Sequence, residues 1–161
     1  MTIYFYKVNA PYGCFSNFSP HPIHLDAQDW STVEHYYQSQ KFVGTEEEDL
    51  IRVIRVAKTP EEAAALGRDR QARCQGTYRT SKLRLDWEQV KPQIMRKAVL
   101  TKFLTHLDIQ AVLLSTADEL IVEDSPTDYY WGCGLEKTGE NQLGKILMSV
   151  RQEIRQRLAN N

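Results

Sequence analysis

The chain has 161 residues, of which 42% are hydrophobic and 25% charged, a composition that is ordinary for a globular protein with a sizeable core. Its 20 Lys and Arg residues nearly balance 21 Asp and Glu residues. The net charge of −1 does not indicate a dedicated nucleic-acid-binding protein, although it is compatible with a local basic patch. No apolar run approaches the length of a membrane span, and the sequence does not open on a secretory signal pattern. The 3 cysteines lack the spacing of a disulfide framework or a zinc site, so we expect reduced thiols, a cytoplasmic location and no bound metal.

The N-terminal part of the chain predicts short strands around a loop. Residues 3–6 are aromatic or β-branched and predict a strand. Residues 10–20 are rich in Pro, Gly, Asn and Ser and predict a loop, which should pack onto the protein because Phe15 and Phe18 are apolar. Residues 23–30 then predict a β-hairpin that leads into the first helix.

Residues 30–41 predict the first helix and carry the most informative pattern of the chain. Ser31 and Thr32 are good N-cap residues. One side of the helix can face a core, through Val33, Tyr36, Tyr37, Gln40 and Val43. A second stripe places an acid, an amide and an ammonium together, at Glu34, Gln38 and Lys41. Ser31-x-x-Glu34 also matches a capping box, and this segment alone favours capping over catalysis for Glu34.

Helix signals dominate the middle of the chain. Thr45-x-x-Glu48 is a second capping-box match after Gly44, and Thr59 with Pro60 opens a short helix that should stop at Gly67 as a left-handed cap. Asp86 opens the next helix, in which Pro92 predicts either a preceding separate turn or a kink.

The C-terminal part predicts a helix capped by Asp108, a strand at residues 119–123 and a long last helix capped by Asn141. Buried stripes are expected in two helices, at Met95, Val99 and Phe103, and at Leu143, Leu147, Val150 and Ile154. Helices outnumber strands, so we expect an α+β fold: a mostly helical single domain over residues 1–161 with a small β-sheet.

Two loops remain between these elements. Residues 71–83 are polar without periodicity and predict an exposed loop, in which Arg73, Arg79 and Lys82 should be mobile in the absence of a ligand. Residues 124–140 form a loop whose length indicates a function, and its aromatic residues argue against disorder.

Aromatic and polar residues are mixed in three segments, namely residues 12–19, the helix from Glu34, and residues 128–141. A cleft between them would suit a flat heterocycle attached to a sugar, because aromatic faces stack on bases while charged groups bind ribose and phosphate. Asp128 would suit that cleft, but an Asx turn after Pro126 accounts equally well for an aspartate at this position.

The other candidate residues also have alternative explanations. Core packing is slightly favoured over base stacking for Trp87. Arg68 and Lys145 are candidate phosphate ligands by charge, and solvated surface residues otherwise. His35 could act as a base, although a packed, hydrogen-bonded histidine is more common.

An ordered set of motifs from about Phe15 to Arg151 resembles the YbiA-like, or NADAR, family. The matching residues are Phe15-Ser16-Asn17-Phe18, Trp30-x-Thr32-x-Glu34-His35-Tyr36-Tyr37-Gln38-x-x-Lys41-Phe42, Gly67-Arg68, Asp86-Trp87-Glu88 with Met95, Asp128-x-x-Trp131-Gly132-x-Gly134, and Gly139-x-Asn141-x-Leu143-Gly144-x-x-Leu147-Met148.

The resemblance implies a single-domain cytosolic N-glycosidase. Members are described as cleaving phosphoribosylamino-pyrimidine intermediates of riboflavin synthesis, and others as removing ADP-ribose from guanine. The family name itself reflects a proposed link to NAD and ADP-ribose. Related chains pass more directly from the Gly-Arg pair to the segment before Trp87, so the additional basic residues at 71–83 could contact a further phosphate or a nucleic-acid backbone.

Breaking a C1′–N bond builds positive charge on the ribose, which a carboxylate can stabilise while it orients or deprotonates a water. We therefore expect Glu34 to be the main catalytic carboxylate and Asp128 to be a second acid or a ribose contact. The residues expected to hold the base are Trp131, Trp87 and Tyr36. Those expected to position ribose and phosphate are Asn17, Gln38, Lys41, Arg68, Asn141 and Lys145. The reaction needs no metal and no cofactor.

Two alternatives stay open at this point. The same hydrolysis could act on ADP-ribosylated guanine in nucleic acid, or the protein could be a non-catalytic module that binds ADP-ribose or NAD. In every case the partner is a phosphoribosyl or ADP-ribosyl compound, with no membrane involved. The sequence leaves the oligomeric state undecided.

Overall fold

The computed structural model describes residues 1–68 and 83–161. The helices are α1 Val33–Gln40, α2 Asp49–Arg55, α3 Pro60–Arg68, α4 Trp87–Thr105, α5 Leu107–Ser115 and α6 Gln142–Ala159. The strands are β1 Thr2–Phe5, β2 Ile23–Leu25, β3 Gln28–Trp30 and β4 Leu120–Glu123. The expected α+β architecture, mostly helical with few strands, is confirmed.

The strands form two separate pairs. β2 and β3 are antiparallel, and the hairpin turn has positive φ angles at Asp26 (52°) and Ala27 (60°), as a two-residue type I′ turn requires. β1 and β4 are parallel, with Phe5 opposite Glu123. Because parallel strands end at the same edge, this pairing brings the residues after β1 next to the residues after β4. The predicted hairpin is confirmed, whereas the parallel pair had no signal in the sequence.

The main hydrophobic core lies between α4, α6, α1 and the strands. The predicted stripes of α4 and α6 are confirmed, since Met95, Val99, Phe103, Leu143, Leu147, Val150 and Ile154 are all buried. Helix α1 differs from a surface helix because each of its eight residues is buried. Its polar stripe therefore lies inside the protein.

The predicted N-cap residue Thr32 is confirmed, since it accepts a hydrogen bond from the His35 amide at the start of α1. Three other capping predictions are wrong. The Ser31-x-x-Glu34 capping box does not form, because the Glu34 side chain bonds to Gln38 instead of to the helix start. Gly67 lies within α3 and has no positive φ angle. Thr45 accepts from the Glu47 amide in a turn before α2, so it does not cap that helix.

Two later helix boundaries also differ from expectation. The N-cap position of α5 is His106, so Asp108 lies in the first turn. Pro92 lies inside a continuous α4, which excludes a separate turn before it. No single described helix is long and apolar enough to cross a membrane. The consecutive helices α4 and α5 meet that composition only as a pair, bent by 108° where they meet.

Lys102 is a buried lysine whose amine attaches residues 12–19 to α4. Its side chain is 1% exposed and donates to the Ser16 carbonyl over 2.9 Å. Burial lowers the pKa of Lys102 to about 7, and the Cys14 thiol opposes that shift. The folded protein therefore releases this proton at a much lower pH than the unfolded chain, in which a lysine has its ordinary pKa of about 10.4.

We expect the free energy of unfolding of wild type, relative to Lys102→Met, to increase with pH above 7. Between pH 7 and about 10.4 the unfolded wild-type chain binds a proton that the folded protein lacks, so raising the pH stabilises wild type but not the variant. The relative gain from pH 7 to pH 9 should be about 2 kcal/mol, measured by urea unfolding. Lys97→Met, which removes an exposed lysine of α4, is the control. A difference that is independent of pH would contradict this account.

Candidate active site

Glu34 is a buried carboxylate in the first turn of α1 and is only 3% exposed. Its Oε1 accepts a hydrogen bond from Gln38 Nε2 over 2.7 Å and lies 3.7 Å from the Arg68 guanidinium. The backbone amide of Glu34 donates to the Asn17 carbonyl. One helical turn of α1, the end of α3 and the loop at residues 12–19 therefore position this carboxylate together.

A cleft of about 520 Å³ lies beside Arg68, the charged neighbour of Glu34. It is lined by the residues that follow the two parallel strands, by the loop at residues 12–19 and by α3: Tyr6, Lys7, Val8, Asn9, Ser16, Phe18, Glu61, Arg68, Glu123, Ser125, Thr127 and Asp128. Arg68 lines the cleft and also lies 3.7 Å from Glu34, so the cleft is next to Glu34. The expectation that the Glu34 face of α1 and the two loops form one binding site stays a prediction.

Glu123 is a site residue that the sequence prediction missed. It is the last residue of β4 and lines the cleft together with Asp128 and Arg68. Burial is the main cause that raises its pKa to about 8, with a contribution from the charges of Asp128 and Glu34 and against the opposing charge of Arg68. Glu123 is thus mainly protonated at pH 7. The sequence feature that could have identified Glu123 is its position as an acidic residue at the end of a buried strand, directly before a long loop.

Burial also raises the pKa of Glu34. The Gln38 hydrogen bond and the charges of Arg68 and Lys41 oppose this increase, whereas the charge of Asp128 adds to it. The protonation of Glu34 and of Glu123 therefore depends on the charge of neighbouring carboxyl groups. Such a group of coupled carboxyls in a cleft suits proton transfer to and from a bound substrate.

Asp128 shapes the loop that follows β4. Its Oδ1 accepts hydrogen bonds from the amides of Tyr130 and Trp131 at 2.9 and 2.7 Å, and its own amide donates to Ser125 Oγ. The Asx turn considered from the sequence is therefore present. The same residue lines the cleft, so turn formation and a role in the site are compatible.

An aromatic cluster extends from the site into the core. Tyr37 packs between Trp87 and Trp131, with ring centroids 5.1 and 5.4 Å away. Trp87 is 5% exposed and packs in the core, whereas Trp131 is half-buried. Lys41 Nζ lies 5.7 Å from the Tyr37 centroid and 5.9 Å from that of Trp87. Trp131 is therefore better placed than Trp87 to stack on a ligand.

Four buried acceptor atoms have no hydrogen-bond partner within the described part of the chain: Asn17 Oδ1, Gln38 Oε1, Glu47 Oε2 and Glu123 Oε2. Leaving a buried polar atom unpaired is costly, so natural proteins do so mainly where function requires it. The Asn17 amide group contacts Met95 Sδ at 3.4 Å. Asn17, Gln38 and Glu123 belong to the surroundings of Glu34 or to the cleft, whereas Glu47 lies before α2.

Three of the expected site residues lie elsewhere or have other partners. The Tyr36 hydroxyl donates to Asp26, and because Tyr36 is two residues from Glu34 it faces the opposite side of α1. Asn141 bonds to the backbone of β4, accepting from the Glu123 amide and donating to the Ile121 carbonyl. Lys145 is exposed on α6.

His35 is buried, and its ring bonds to Thr32 and to the Ala57 carbonyl, as a packed histidine does. The basic residues Arg73, Arg79 and Lys82 lie outside the described residues, so the expectation about that loop stays a prediction. No three His, Cys, Asp or Glu side chains of residues 1–68 and 83–161 are grouped to hold a metal ion.

A family model for the NADAR domain matches residues 4–155. The chain belongs to the NADAR family. It is 64% identical over 159 residues to N-glycosidase Npun_R5314 of Nostoc punctiforme, covering 99% of this chain and 96% of that protein. It is also 42% identical to N-glycosidase YbiA of Escherichia coli, covering 94% of this chain and 88% of that protein. These names support an N-glycosidase of the NADAR family.

Two further comparisons agree with this assignment. The NMR structure of the E. coli protein YbiA superimposes with a TM-score of 0.86 at 40% identity, covering 100% of this chain and 89% of that one. The riboflavin biosynthesis protein PYRR of Zea mays is 45% identical over 160 residues, which are 94% of this chain but 25% of that protein. The NADAR fold found here is thus also part of a larger plant protein.

Gly67→Ala should destabilise the protein and disturb Glu34. A Cβ atom at position 67 would lie 2.0 Å from Gln38 Oε1 and 2.9 Å from Gln38 Cβ, so α1 and α3 would have to separate. An exposed helical Gly→Ala change stabilises by up to about 1 kcal/mol, but here we expect a net loss of about 1–3 kcal/mol by urea unfolding.

Ala65→Ser, on the exposed side of α3, is the matched control, because it also adds one heavy atom to this helix. The Gly67→Ala variant should in addition lose activity, since Gln38 can no longer hold Glu34. A variant as stable as wild type would show that the two helices do not require this close approach.

Proposed function

We propose that the protein is a single-domain N-glycosidase that hydrolyses the C1′–N bond of a ribosylated heterocycle in the cytoplasm. Its preferred substrates would be phosphoribosylamino-pyrimidine intermediates of riboflavin biosynthesis. The observation that carries the proposal is the buried Glu34 carboxylate, held by Gln38 and Arg68 beside a cleft that Glu123 and Asp128 line. The printed names of the relatives, which include N-glycosidases and a riboflavin biosynthesis protein, support it.

The proposed mechanism places the Glu34 carboxylate near C1′ of the ribose. As the C1′–N bond lengthens, the ribose gains oxocarbenium character, and the negative charge of Glu34 stabilises it. Glu34 also orients the attacking water and accepts its proton. The raised pKa of Glu34 supports this step, because a base works best when its pKa approaches the operating pH.

The surrounding residues would bind the rest of the substrate. Trp131 stacks on the heterocycle at the half-buried edge of the aromatic cluster. Arg68 and Lys41 contact the phosphate by charge, while Asn17 and Gln38 use their unpaired oxygens to accept hydrogen bonds from ribose hydroxyls. In this proposal Asp128 is the second acid or a ribose contact.

Other expected residues would act indirectly. Trp87 supports Tyr37 from the core, and Asn141 holds the backbone of β4, where Glu123 lies. Neither residue then needs to touch the substrate. No role follows from the positions of Tyr36 and Lys145.

A release assay over a small panel of N-ribosides tests the proposal. We expect free ribose 5-phosphate to be released from aminopyrimidine 5-phosphoribosides, without added metal or cofactor. Release of ADP-ribose from ADP-ribosylated guanine in DNA, with binding that weakens as salt increases, would instead assign the nucleic-acid substrate. Tight binding of ADP-ribose with no turnover of any panel member would reject an enzymatic function.

Glu34→Gln should lower turnover by about 10²-fold or more while leaving substrate binding nearly unchanged. Glutamine keeps the size of the side chain and can still accept the Gln38 hydrogen bond, but it has no negative charge. The measurement is kcat and KM on the best panel substrate, together with a thermal melt to verify folding. Glu48→Gln, an exposed Glu→Gln change before α2, is the control. A folded Glu34→Gln variant with near-normal kcat would remove Glu34 from the mechanism.

A further inference from the structure

Glu123 is held rigidly at the end of β4. Its amide donates to Asn141 Oδ1 over 3.0 Å, and its carbonyl accepts from the Cys133 amide over 2.9 Å. Asn141 also donates to the Ile121 carbonyl, so its side chain holds the last three residues of the strand. The parallel pairing with β1 further restrains this backbone, since Phe5 lies opposite Glu123. The direction of the Glu123 side chain is therefore set by the fold.

The carboxyl group of Glu123 has no structural task within the described residues. Its Oε2 is buried and lacks a hydrogen-bond partner, although the residue lines the cleft. A side chain that only supported the fold would be expected to pair both oxygens, because an unpaired buried acceptor is unfavourable. The orphaned oxygen points to a partner supplied by a ligand.

The surroundings keep this carboxyl protonated at neutral pH. Asp128, Glu34 and Arg68 are the charged groups that act on it, and Lys7 and Glu61 line the same cleft. Burial is the largest effect, and together with the two carboxylates it raises the pKa of Glu123 to about 8 against the opposing charge of Arg68. The cleft thus contains an acid that can donate a proton, next to a second carboxyl, Glu34, that can accept one.

We propose that Glu123 is the catalytic general acid that protonates the departing heterocycle. This inference rests on the N-glycosidase function proposed above and adds a second catalytic residue to it. The C1′–N bond breaks with its electron pair moving to nitrogen, and the Glu123 proton transfers to that nitrogen. The water oxygen bonds to C1′, and its proton transfers to Glu34. Proton exchange with solvent after product release then restores both groups.

Two substrates with different leaving groups test this assignment. An aminopyrimidine 5-phosphoriboside needs a proton on its departing nitrogen, whereas 4-nitrophenyl riboside 5-phosphate releases a stable phenolate that needs none. We expect Glu123→Gln to lower kcat by about 10²-fold or more on the first substrate and by only a few-fold on the second. Glu61→Gln, at the exposed rim of the same cleft, is the matched control for removing a carboxylate.

The pH dependence gives a readout that a merely structural role would not change. A general acid must be protonated to act, so wild-type kcat on the aminopyrimidine substrate should fall as pH rises through about 8. This alkaline decrease should be absent in Glu123→Gln, and wild type should not show it on the nitrophenyl substrate. Circular dichroism and a thermal melt establish that the variant is folded.

Several outcomes would overturn the assignment. Equal losses on the two substrates would show that Glu123 supports the site without donating a proton, and normal kcat on both would exclude it from the mechanism. If wild type cleaves neither substrate, the proposed function itself fails. A ¹³C NMR titration of the Glu123 carboxyl is independent of turnover, and an ionised Glu123 at pH 7 would reject the general acid in every case.

Discussion

The burial of Glu34 is the constraint on which the site depends. An ionisable carboxyl inside a protein is unfavourable unless it is paired and hydrogen-bonded. Gln38 provides the hydrogen bond from the next turn of α1, and Arg68 provides the positive charge from the end of α3. Both depend on the close approach of α1 and α3 at Gly67, where any side chain would overlap Gln38. The packing of α1 against α3 therefore also determines the environment of the Glu34 carboxylate.

The parallel pair of β1 and β4 supplies the other half of the site. Since both strands end at the same edge, residues 6–9 and the loop from Glu123 face each other across the cleft. Asp128 then bends the loop by accepting two backbone hydrogen bonds, which places Trp131 against Tyr37. A two-stranded sheet is small, but here it joins segments that are more than a hundred residues apart.

The three carboxyl groups differ in their environment, and this separates their possible roles. Glu34 has a hydrogen-bond donor and a nearby cation, whereas Oε2 of Glu123 is buried without a partner in the described part of the chain. Asp128 uses one oxygen to hold its own loop. Enzymes commonly assign an acid and a base to similar side chains by giving them different surroundings. The same logic connects the proposed base, Glu34, with the proposed acid, Glu123.

Local pattern in the sequence was sufficient for the elements and for part of the site. Helical periodicity predicted the core stripes of α4 and α6, the hairpin followed from residues 23–30, and the polar stripe of α1 identified Glu34, Gln38 and Lys41 as neighbours. Periodicity reports only which residues share a face. It does not report what covers that face. The capping-box match favoured a cap at Glu34 from this segment alone, and the catalytic assignment needed the other segments and the family resemblance.

Only the tertiary structure decided the remaining features, because they depend on contacts between distant segments. Helix α1 is covered on all sides, so Glu34 and Gln38 of its polar stripe lie inside the protein and not on its surface. The pairing of β1 with β4 exposes Glu123 to the cleft, although the sequence presented it only as the end of a strand. Asn141 and Tyr36 matched family motifs, yet their side chains bond to β4 and to Asp26, because hydrogen-bond partners are set by the fold and not by spacing along the chain.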